Sequence, residues 1–145
     1  MEDNDKLIEE FSNLWKMFLS FSNQHRTMEE FPRIERLNTM EISIIRIVYD
    51  RDDIILKEIC NMLDIPKSTL TSAIDRLERL NYVNRTISKR DRRSYGLQLT
   101  DEGKEVKNEH IAFERKLYGY VLNALDTNDE REEFLKLFRK IVNNI

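Results

Sequence analysis

The chain has 145 residues, which is enough for one domain with its own core. Only three glycines and two prolines occur, so the composition favours a mostly helical protein. A single cysteine excludes an intramolecular disulfide framework, and the first five residues are acidic where a signal peptide would be basic. No apolar run approaches the roughly 20 residues needed to span a bilayer. We therefore expect a cytoplasmic protein without a membrane partner.

The net charge of −3 is unevenly distributed along the chain. Residues 65–100 carry +5 and the remaining residues carry −8. The eight cations of this segment are Lys67, Arg76, Arg79, Arg85, Lys89, Arg90, Arg92 and Arg93. A basic element on an acidic body predicts an anionic partner at one face, the alternative being an ordinary solvated charge cluster.

The N-terminal part predicts helices. Apolar residues recur at intervals of three and four from Leu7 to Leu19, which indicates a first amphipathic helix. Asn38 and Glu41 are spaced as a capping box, opening a helix with an apolar face of Ile42, Ile45, Val48 and Tyr49. This helix is broken at residues 51–53. A short helix carrying Leu56, Ile59, Cys60 and Leu63 follows.

The next helix is expected at about 66–80, with Pro66 at its first position. Two segments with β-branched and aromatic residues, 82–87 and 94–100, then predict a β-hairpin with a charged tip at 88–93. Thr100 is a good N-cap for a long helix to about Leu125, and a last helix begins near Thr127. The expected order is four helices, two strands and two helices.

Two short helices joined by a tight turn and followed by a hairpin are typical of a winged helix-turn-helix. Asp64 lies in the turn and Asn81 at the end of the second helix, positions that need a left-handed backbone and where glycine is usual. We expect Cys60 to be a small buried residue at the helix crossing and not a redox sensor. Leu70 is expected to pack the second helix onto the first.

The second helix presents polar side chains opposite its Leu70, Ile74 and Leu77 face. Small hydroxyl residues near its start permit close approach to a major groove, and cations further along suit phosphates. The alternative is an ordinary polar helix face, which explains the polarity but not the adjacent basic hairpin. We expect Arg76, with the hydroxyl residues Ser68, Thr71 and Ser72, to discriminate bases.

Six short segments together resemble the MarR family of bacterial and archaeal transcriptional regulators. They are collinear from about Leu56 to Lys104, and the most specific are Asp91-Arg92-Arg93 and Leu99-Thr-Asp-Glu-Gly103. The others are Lys57-Glu-Ile-Cys, Ile65-Pro-Lys-Ser-Thr-Leu-Thr, Ile74-Asp-Arg-Leu-Glu and Val83-Asn-Arg. The fold expected is mainly α with a small β-hairpin wing (α+β), a winged helix-turn-helix with a helical dimerisation lobe.

The resemblance implies a sequence-specific regulator, expected to be a repressor, that binds double-stranded DNA at a palindromic operator as a homodimer. It places an arginine of the wing tip, by motif position Arg93, in the flanking minor groove, with Asp91 orienting the tip and Arg90 or Arg92 near phosphates. The residues expected to bind DNA are Lys67, Ser68, Thr69, Thr71, Ser72, Arg76, Arg79, Lys89, Arg90, Asp91, Arg92 and Arg93. A small phenolic or amphipathic effector is a further candidate partner, for which Trp15, His25 and Tyr49 are candidate contacts.

The whole chain, 1–145, is expected to be one MarR-type domain. Residues 1–37 and 101–145 would form the dimerisation lobe and 38–100 the DNA-binding lobe. The excess of apolar residues near both ends supports a dimer independently, although packing within one chain would also use them. The residues expected at the interface are Leu7, Phe11, Trp15, Phe18, Phe134, Phe138 and Ile141.

Two other functional classes compete with a DNA-binding regulator. A winged helix used only for protein interaction predicts a neutral or acidic wing, which residues 89–93 do not have. An enzyme is disfavoured because no phosphate loop, nucleophile elbow or paired-carboxylate site stands out. His25 and His110 are far apart and lack metal-ligand spacing. We expect no catalytic residue, no metal and no cofactor.

Overall fold

The computed structural model describes residues 2–26 and 30–145. In this part of the chain the helices and strands follow one another in the order α1–α5, β1, β2, α6, α7. Their bounds are α1 Glu2–Arg26, α2 Pro32–Glu35, α3 Thr39–Asp50, α4 Leu56–Leu63, α5 Lys67–Arg79, β1 Val83–Ile87, β2 Tyr95–Leu99, α6 Asp101–Asn123 and α7 Asn128–Val142. The expected mainly α fold with a hairpin wing is confirmed.

The local signals that start the helices lie where the sequence predicted them. Asn38 Oδ1 accepts from the Glu41 amide, and Glu41 Oε2 accepts from the Asn38 amide, both at 2.9 Å, so the capping box begins α3. Thr100 Oγ1 accepts from the Gly103 amide at 3.0 Å and caps α6. These side chains satisfy backbone donors that the first turn of a helix leaves without partners.

Both predicted left-handed turn residues are confirmed. Asp64 has φ 50° and ends α4, and Asn81 has φ 61° two residues after α5. A third residue, Asp53, also has a positive φ, of 53°, in the loop between α3 and α4. Asp and Asn tolerate this conformation better than other side chains because their short polar groups bond locally.

The wing is an antiparallel hairpin in which Val83 pairs with Leu99 and Ile87 with Tyr95. Its second strand also contacts the α3–α4 loop, because the Leu97 amide donates to the Ile54 carbonyl at 3.3 Å. A Cβ at Gly96 would lie 2.8 Å from that carbonyl oxygen, closer than side chains tolerate. Glycine is therefore required where the wing crosses the loop.

The core of the helix-turn-helix is formed by α3, α4, α5 and the hairpin. Its fully buried side chains include Ile44, Ile45, Ile59, Leu70, Ile74, Leu77, Val83 and Leu97. The expected packing face of α5 is thus confirmed. The expected face of α3 is confirmed for Ile42, Ile45 and Val48, but Tyr49 remains 47% exposed because it lies at the edge of that face, where Lys107 Nζ packs over its ring at 3.6 Å.

Three differences from the sequence prediction concern element boundaries. The short helix α2 was not predicted, since four residues are too few for an apolar period. Pro66 is the N-cap of α5 and not its first helical residue. The helix α6 ends at Asn123, two residues before the expected end.

The chain divides into two compact units, the first ending at Ile111 and the second comprising Ala112–Ile145. The first contains the helix-turn-helix and the wing, and the second contains the end of α6 and all of α7. The proposed assignment of 1–37 and 101–145 to a dimerisation lobe stays a prediction. Among the helices of the described residues, none combines the length and apolarity required to cross a membrane.

Candidate nucleic-acid interface

The outer face of α5 carries the hydroxyl residues that the sequence predicted. Lys67, Ser68, Thr69, Ser72 and Arg79 are exposed. The Ser72 hydroxyl donates to the Ser68 carbonyl at 3.1 Å, one turn earlier. Thr71 is half-buried and donates in the same way to the Lys67 carbonyl at 2.9 Å. The hydroxyl oxygens of Ser72 and Thr71 remain available as acceptors, so they can meet hydrogen-bond donors at base edges.

Arg76 is placed differently from the expectation. Its guanidinium donates to Glu41, which is 2% exposed, and to the Arg36 carbonyl. The hydrogen bond to Glu41 also raises the pKa of Arg76. Because α5 packs on α3, the long side chain turns towards the start of α3 and satisfies a buried carboxylate. This geometry gives Arg76 a structural role, and it disfavours the predicted contact with bases.

A second arginine of the basic segment is also paired. Arg85 on β1 donates to Asp75 at 2.5 Å and to Glu78, both on α5. The Glu78 carboxylate accepts in addition from the Arg85 amide at 3.2 Å. These bonds connect β1 to α5, so Arg85 contributes little free positive charge.

The wing tip is closed by its own hydrogen bonds. Asp91 accepts from the Ser94 hydroxyl at 2.7 Å and from the Arg93 amide at 3.0 Å. These two bonds lower the pKa of Asp91. The Ser88 amide donates to the Ser94 carbonyl at 3.0 Å across the tip. Asp91 therefore orders the tip, as the motif implied, and its negative charge is directed into the turn.

Arg90 is held below the tip by carboxylates. Its guanidinium donates to Glu58 Oε2 at 2.8 Å and to the Asp53 carbonyl at 2.9 Å. The hydrogen bond between Arg90 and Glu58 raises the pKa of Arg90 and lowers the pKa of Glu58. The predicted contact of Arg90 with phosphates is disfavoured by this geometry, because its charge is already neutralised.

The remaining cations are free to attract an anionic partner. Within residues 2–26 and 30–145, the side chains of five cations on α5 and the wing make no ion pair. They are Lys67, Arg79, Lys89, Arg92 and Arg93, and all are exposed. The positive charge of the segment is therefore concentrated at the two ends of α5 and at the wing, which suits the backbone of one duplex.

Cys60 is not buried, contrary to the expectation. It is partly exposed and lines a cleft of about 390 Å³ between α4, the start of α5 and the wing. The cleft also contains Lys57, Lys67 and Arg93. The reason is that α4 buries Ile59 against the core, which turns its neighbour Cys60 towards the edge of the crossing.

A larger cleft of about 640 Å³ lies on the other side of the wing. Its walls come from the end of α3, the α3–α4 loop, both strands and Lys104 of α6. Of the three candidate effector contacts, Tyr49 lines this cleft and Trp15 does not. The side chain of His25 lies outside the described residues.

Each compact unit leaves apolar side chains exposed. On α1 the rings of Phe11 and Trp15 stack at 6.0 Å, and they are 64% and 49% exposed. On α7 the rings of Phe134 and Phe138 stack at 5.9 Å. Exposed residues on these helices also include Leu7 and Ile141, whereas Phe18 is half-buried. Such apolar faces are typical of surfaces covered by another chain.

Comparison with known proteins finds a similarity to one family. The model of the MarR family matches residues 37–95, the segment that contains the helix-turn-helix and the first residue of β2. This segment of the chain is similar to the MarR family. The HTH-type transcriptional regulator PecS of Dickeya dadantii is 45% identical over 64 residues, which cover 41% of this chain and 39% of PecS.

Two further similar proteins match nearly the whole chain. The HTH-type transcriptional regulator YwhA of Bacillus subtilis is 24% identical over 96% of this chain and 98% of YwhA. The crystal structure of Streptococcus pneumoniae FabT in complex with DNA superposes with a TM-score of 0.68 at 21% identity, covering 97% of this chain and 90% of FabT. PecS and YwhA are both named as HTH-type transcriptional regulators.

The structure adds functional candidates that the sequence did not indicate. These are the acidic residues Glu41, Asp53 and Glu58, whose carboxylates each form an ion pair with an arginine of the basic segment. From the sequence, the acidic residues of the loop at 51–53 indicate only a break after α3. Nothing in the local sequence marks the residues to which they bind. Among the described residues, no three His, Cys, Asp or Glu side chains are grouped so as to hold a metal ion.

Proposed function

We propose that this protein is a MarR-type transcriptional regulator that binds duplex DNA with α5 in a major groove and the wing tip against the adjacent minor groove. The observation that carries the proposal is a group of five exposed cations that form no ion pair with residues 2–26 and 30–145: Lys67, Arg79, Lys89, Arg92 and Arg93. They flank the exposed hydroxyls of Ser68, Thr69 and Ser72 on one surface. Phosphate contacts supply affinity and base-edge contacts supply sequence preference. The DNA bound in the FabT crystal supports this reading by likeness of fold.

We further infer that the protein acts as a homodimer on a palindromic operator. The exposed aromatic faces of α1 and α7 support this, because a two-fold dimer would cover both and present two α5 helices. We propose that it acts as a repressor by binding over a promoter. Because its target would be chromosomal DNA, we also propose that it is cytoplasmic. We propose that the protein requires no cofactor.

A small phenolic or amphipathic effector is part of the proposal. The cleft of about 640 Å³ has a volume within the range of small-molecule sites, with Tyr49, Ile87 and Leu97 as apolar walls. It also borders the α3–α4 loop and the wing, so a bound molecule would contact elements that position the DNA-binding surface.

The test is selection of duplexes from a random library by the purified protein, followed by affinity measurement. An enriched sequence with two-fold symmetry is expected. A protein that selects no duplex but retains an ordered fold would support the alternative, a winged helix used for protein interaction. The matched control is a variant in which Arg92 and Arg93 are both replaced by Gln, which should enrich no sequence with the same affinity.

A further inference from the structure

One carboxylate, that of Asp53, fixes the base of the wing. It accepts from the Ser88 hydroxyl at 2.9 Å, from the Lys89 amide at 3.1 Å and from the Arg90 amide at 3.0 Å. Ser88 is only 1% exposed, so this contact is enclosed by the protein. Three donors from consecutive residues of the wing thus converge on one side chain of the α3–α4 loop.

Arg90 provides a second connection between the wing and the α3–α4 loop. Its guanidinium donates to the backbone carbonyl of Asp53 and to the carboxylate of Glu58 on α4. The wing base is therefore joined both to the loop and to the first helix of the helix-turn-helix. We call the set Asp53, Glu58, Ser88 and Arg90 the wing latch.

The tip beyond the latch forms a closed unit. The bonds of Asp91 to Ser94 and to the Arg93 amide order residues 91–94. The guanidinium groups of Arg92 and Arg93 make no ion pair with the part of the chain that the structure describes. Because the tip is ordered and the latch fixes its base, the latch determines where these two free cations lie relative to α5.

The chemistry at position 53 requires aspartate in particular. The positive φ of 53° favours Gly, Asn and Asp over other residues. Only Asp also offers two acceptor oxygens, since one end of an Asn amide is a donor and would face the Lys89 amide in place of Oδ1. Asn therefore retains the backbone conformation and the shape while losing one acceptor and the negative charge that faces the Arg90 guanidinium.

We propose that Asp53 is a positioning residue for DNA binding, which acts through the wing latch by holding Arg92 and Arg93 over the flanking groove. The inference rests on the proposed DNA-binding function. It assigns Arg90, which the motif placed near phosphates, to the latch. On this proposal, the contribution of the wing to the free energy of DNA binding comes from Arg92 and Arg93.

The experiment compares Asp53→Asn with Asp52→Asn in the full-length protein. Asp52 is adjacent and exposed, and its replacement makes the same change in net charge. The probes are the duplex that wild type enriches from a random library and the same duplex trimmed of the base pairs beyond the two half-sites. Wild type should bind the full duplex more tightly, because the wing contacts lie in the flanks.

Asp53→Asn is expected to lose about tenfold in affinity for the full duplex and almost nothing for the trimmed one, since only the wing contribution is removed. Asp52→Asn should keep the wild-type preference for flanks. A general loss of folding would weaken both probes equally, so the flank preference separates positioning from stability. Ser88→Ala, which removes one donor without changing charge, should reduce the flank preference in the same direction.

Equal flank preference in wild type, Asp53→Asn and Ser88→Ala would overturn the latch. If wild type enriched no duplex at all, the proposed DNA-binding function would fail first and the latch with it. If Asp53→Asn did not fold, the Ser88→Ala result would decide alone.

Discussion

Arg76 on α5 and Glu41 on α3 form an ion pair across 35 residues of sequence, with the carboxylate almost fully buried. Glu41 also closes the capping box of α3, so one side chain serves both a helix start and a helix crossing. Removing one partner of such a pair leaves an uncompensated charge in a place that water does not reach.

Arg76→Ala should therefore lower the free energy of unfolding measurably, as read from urea denaturation. Arg76→Lys should restore little, because an ammonium lacks the planar fork that reaches both Glu41 and the Arg36 carbonyl. The control is Arg79→Ala on the same helix, which is exposed and should change stability by less than about 0.5 kcal/mol while weakening DNA binding. Unchanged stability in Arg76→Ala would contradict the structural role.

The two glycines of α6 should respond oppositely to alanine. A Cβ at Gly103 would lie 2.0 Å from the Tyr82 carbonyl oxygen, whereas a Cβ at Gly119 meets nothing within 4 Å. We expect Gly103→Ala to destabilise by about 1–3 kcal/mol or more through forced displacement of backbone. Gly119→Ala should stabilise by about 0.5–1 kcal/mol because alanine favours a helix. Thermal unfolding of both variants checks the contrast, and equal effects would contradict the close packing of α6 on Tyr82.

Acidification should release the wing before it unfolds the core. Partial burial raises the pKa of Asp53, but the bonds from Ser88 and from the amides of Arg90 and Lys89 outweigh it, and the pKa lies below its ordinary value of 3.8. A depressed carboxyl pKa stabilises the fold above the ordinary value, and this contribution is lost as pH falls through the depressed one. Amide hydrogen exchange of residues 88–90 between pH 5 and pH 3 should show protection lost at the lower end in wild type. Asp53→Asn should show little protection throughout, and a pH-dependent loss in that variant would refute the assignment.

The apolar faces of α1 and α7 predict a dimer. Light scattering at micromolar concentration should give about 35 kDa, twice the chain mass of 17.5 kDa. Replacing the stacked Phe11 and Trp15 by Ser should produce monomers, since about 25 cal/mol is lost for each Å² of apolar area that is no longer covered. The control is Tyr95→Ser, an exposed aromatic on the wing, which should leave the mass unchanged. A wild-type monomer would remove the basis for a palindromic operator.

The sequence was sufficient to predict features that depend on neighbouring residues. The capping box of Asn38 and Glu41, the left-handed turns at Asp64 and Asn81 and the hairpin are of this kind, because each signal lies within a few positions. The apolar period likewise predicted the buried face of α5.

The charge pairing could not be predicted, because it depends on elements that meet only in the folded chain. Arg76 and Arg90 look like DNA contacts on a helical wheel and in a motif, but their partners Glu41 and Asp53 lie more than 30 residues away. The net charge of residues 65–100 therefore gives no measure of how many cations are available to an anionic partner. The prediction that Cys60 is buried was wrong for a similar reason, since the rotation of α4 is set by the burial of Ile59.

The salt dependence of binding to the enriched duplex tests the proposed DNA interface most directly. Each chain presents five free cations, so a dimer offers enough for on the order of 6–10 phosphate contacts, and each contact releases condensed counterions. A plot of log K against log salt should have a slope of about −5 to −9, and affinity should fall by roughly 10³–10⁵ between 50 and 200 mM salt. A flat response, or no binding at 50 mM salt by a folded dimer, would contradict the interface on α5 and the wing.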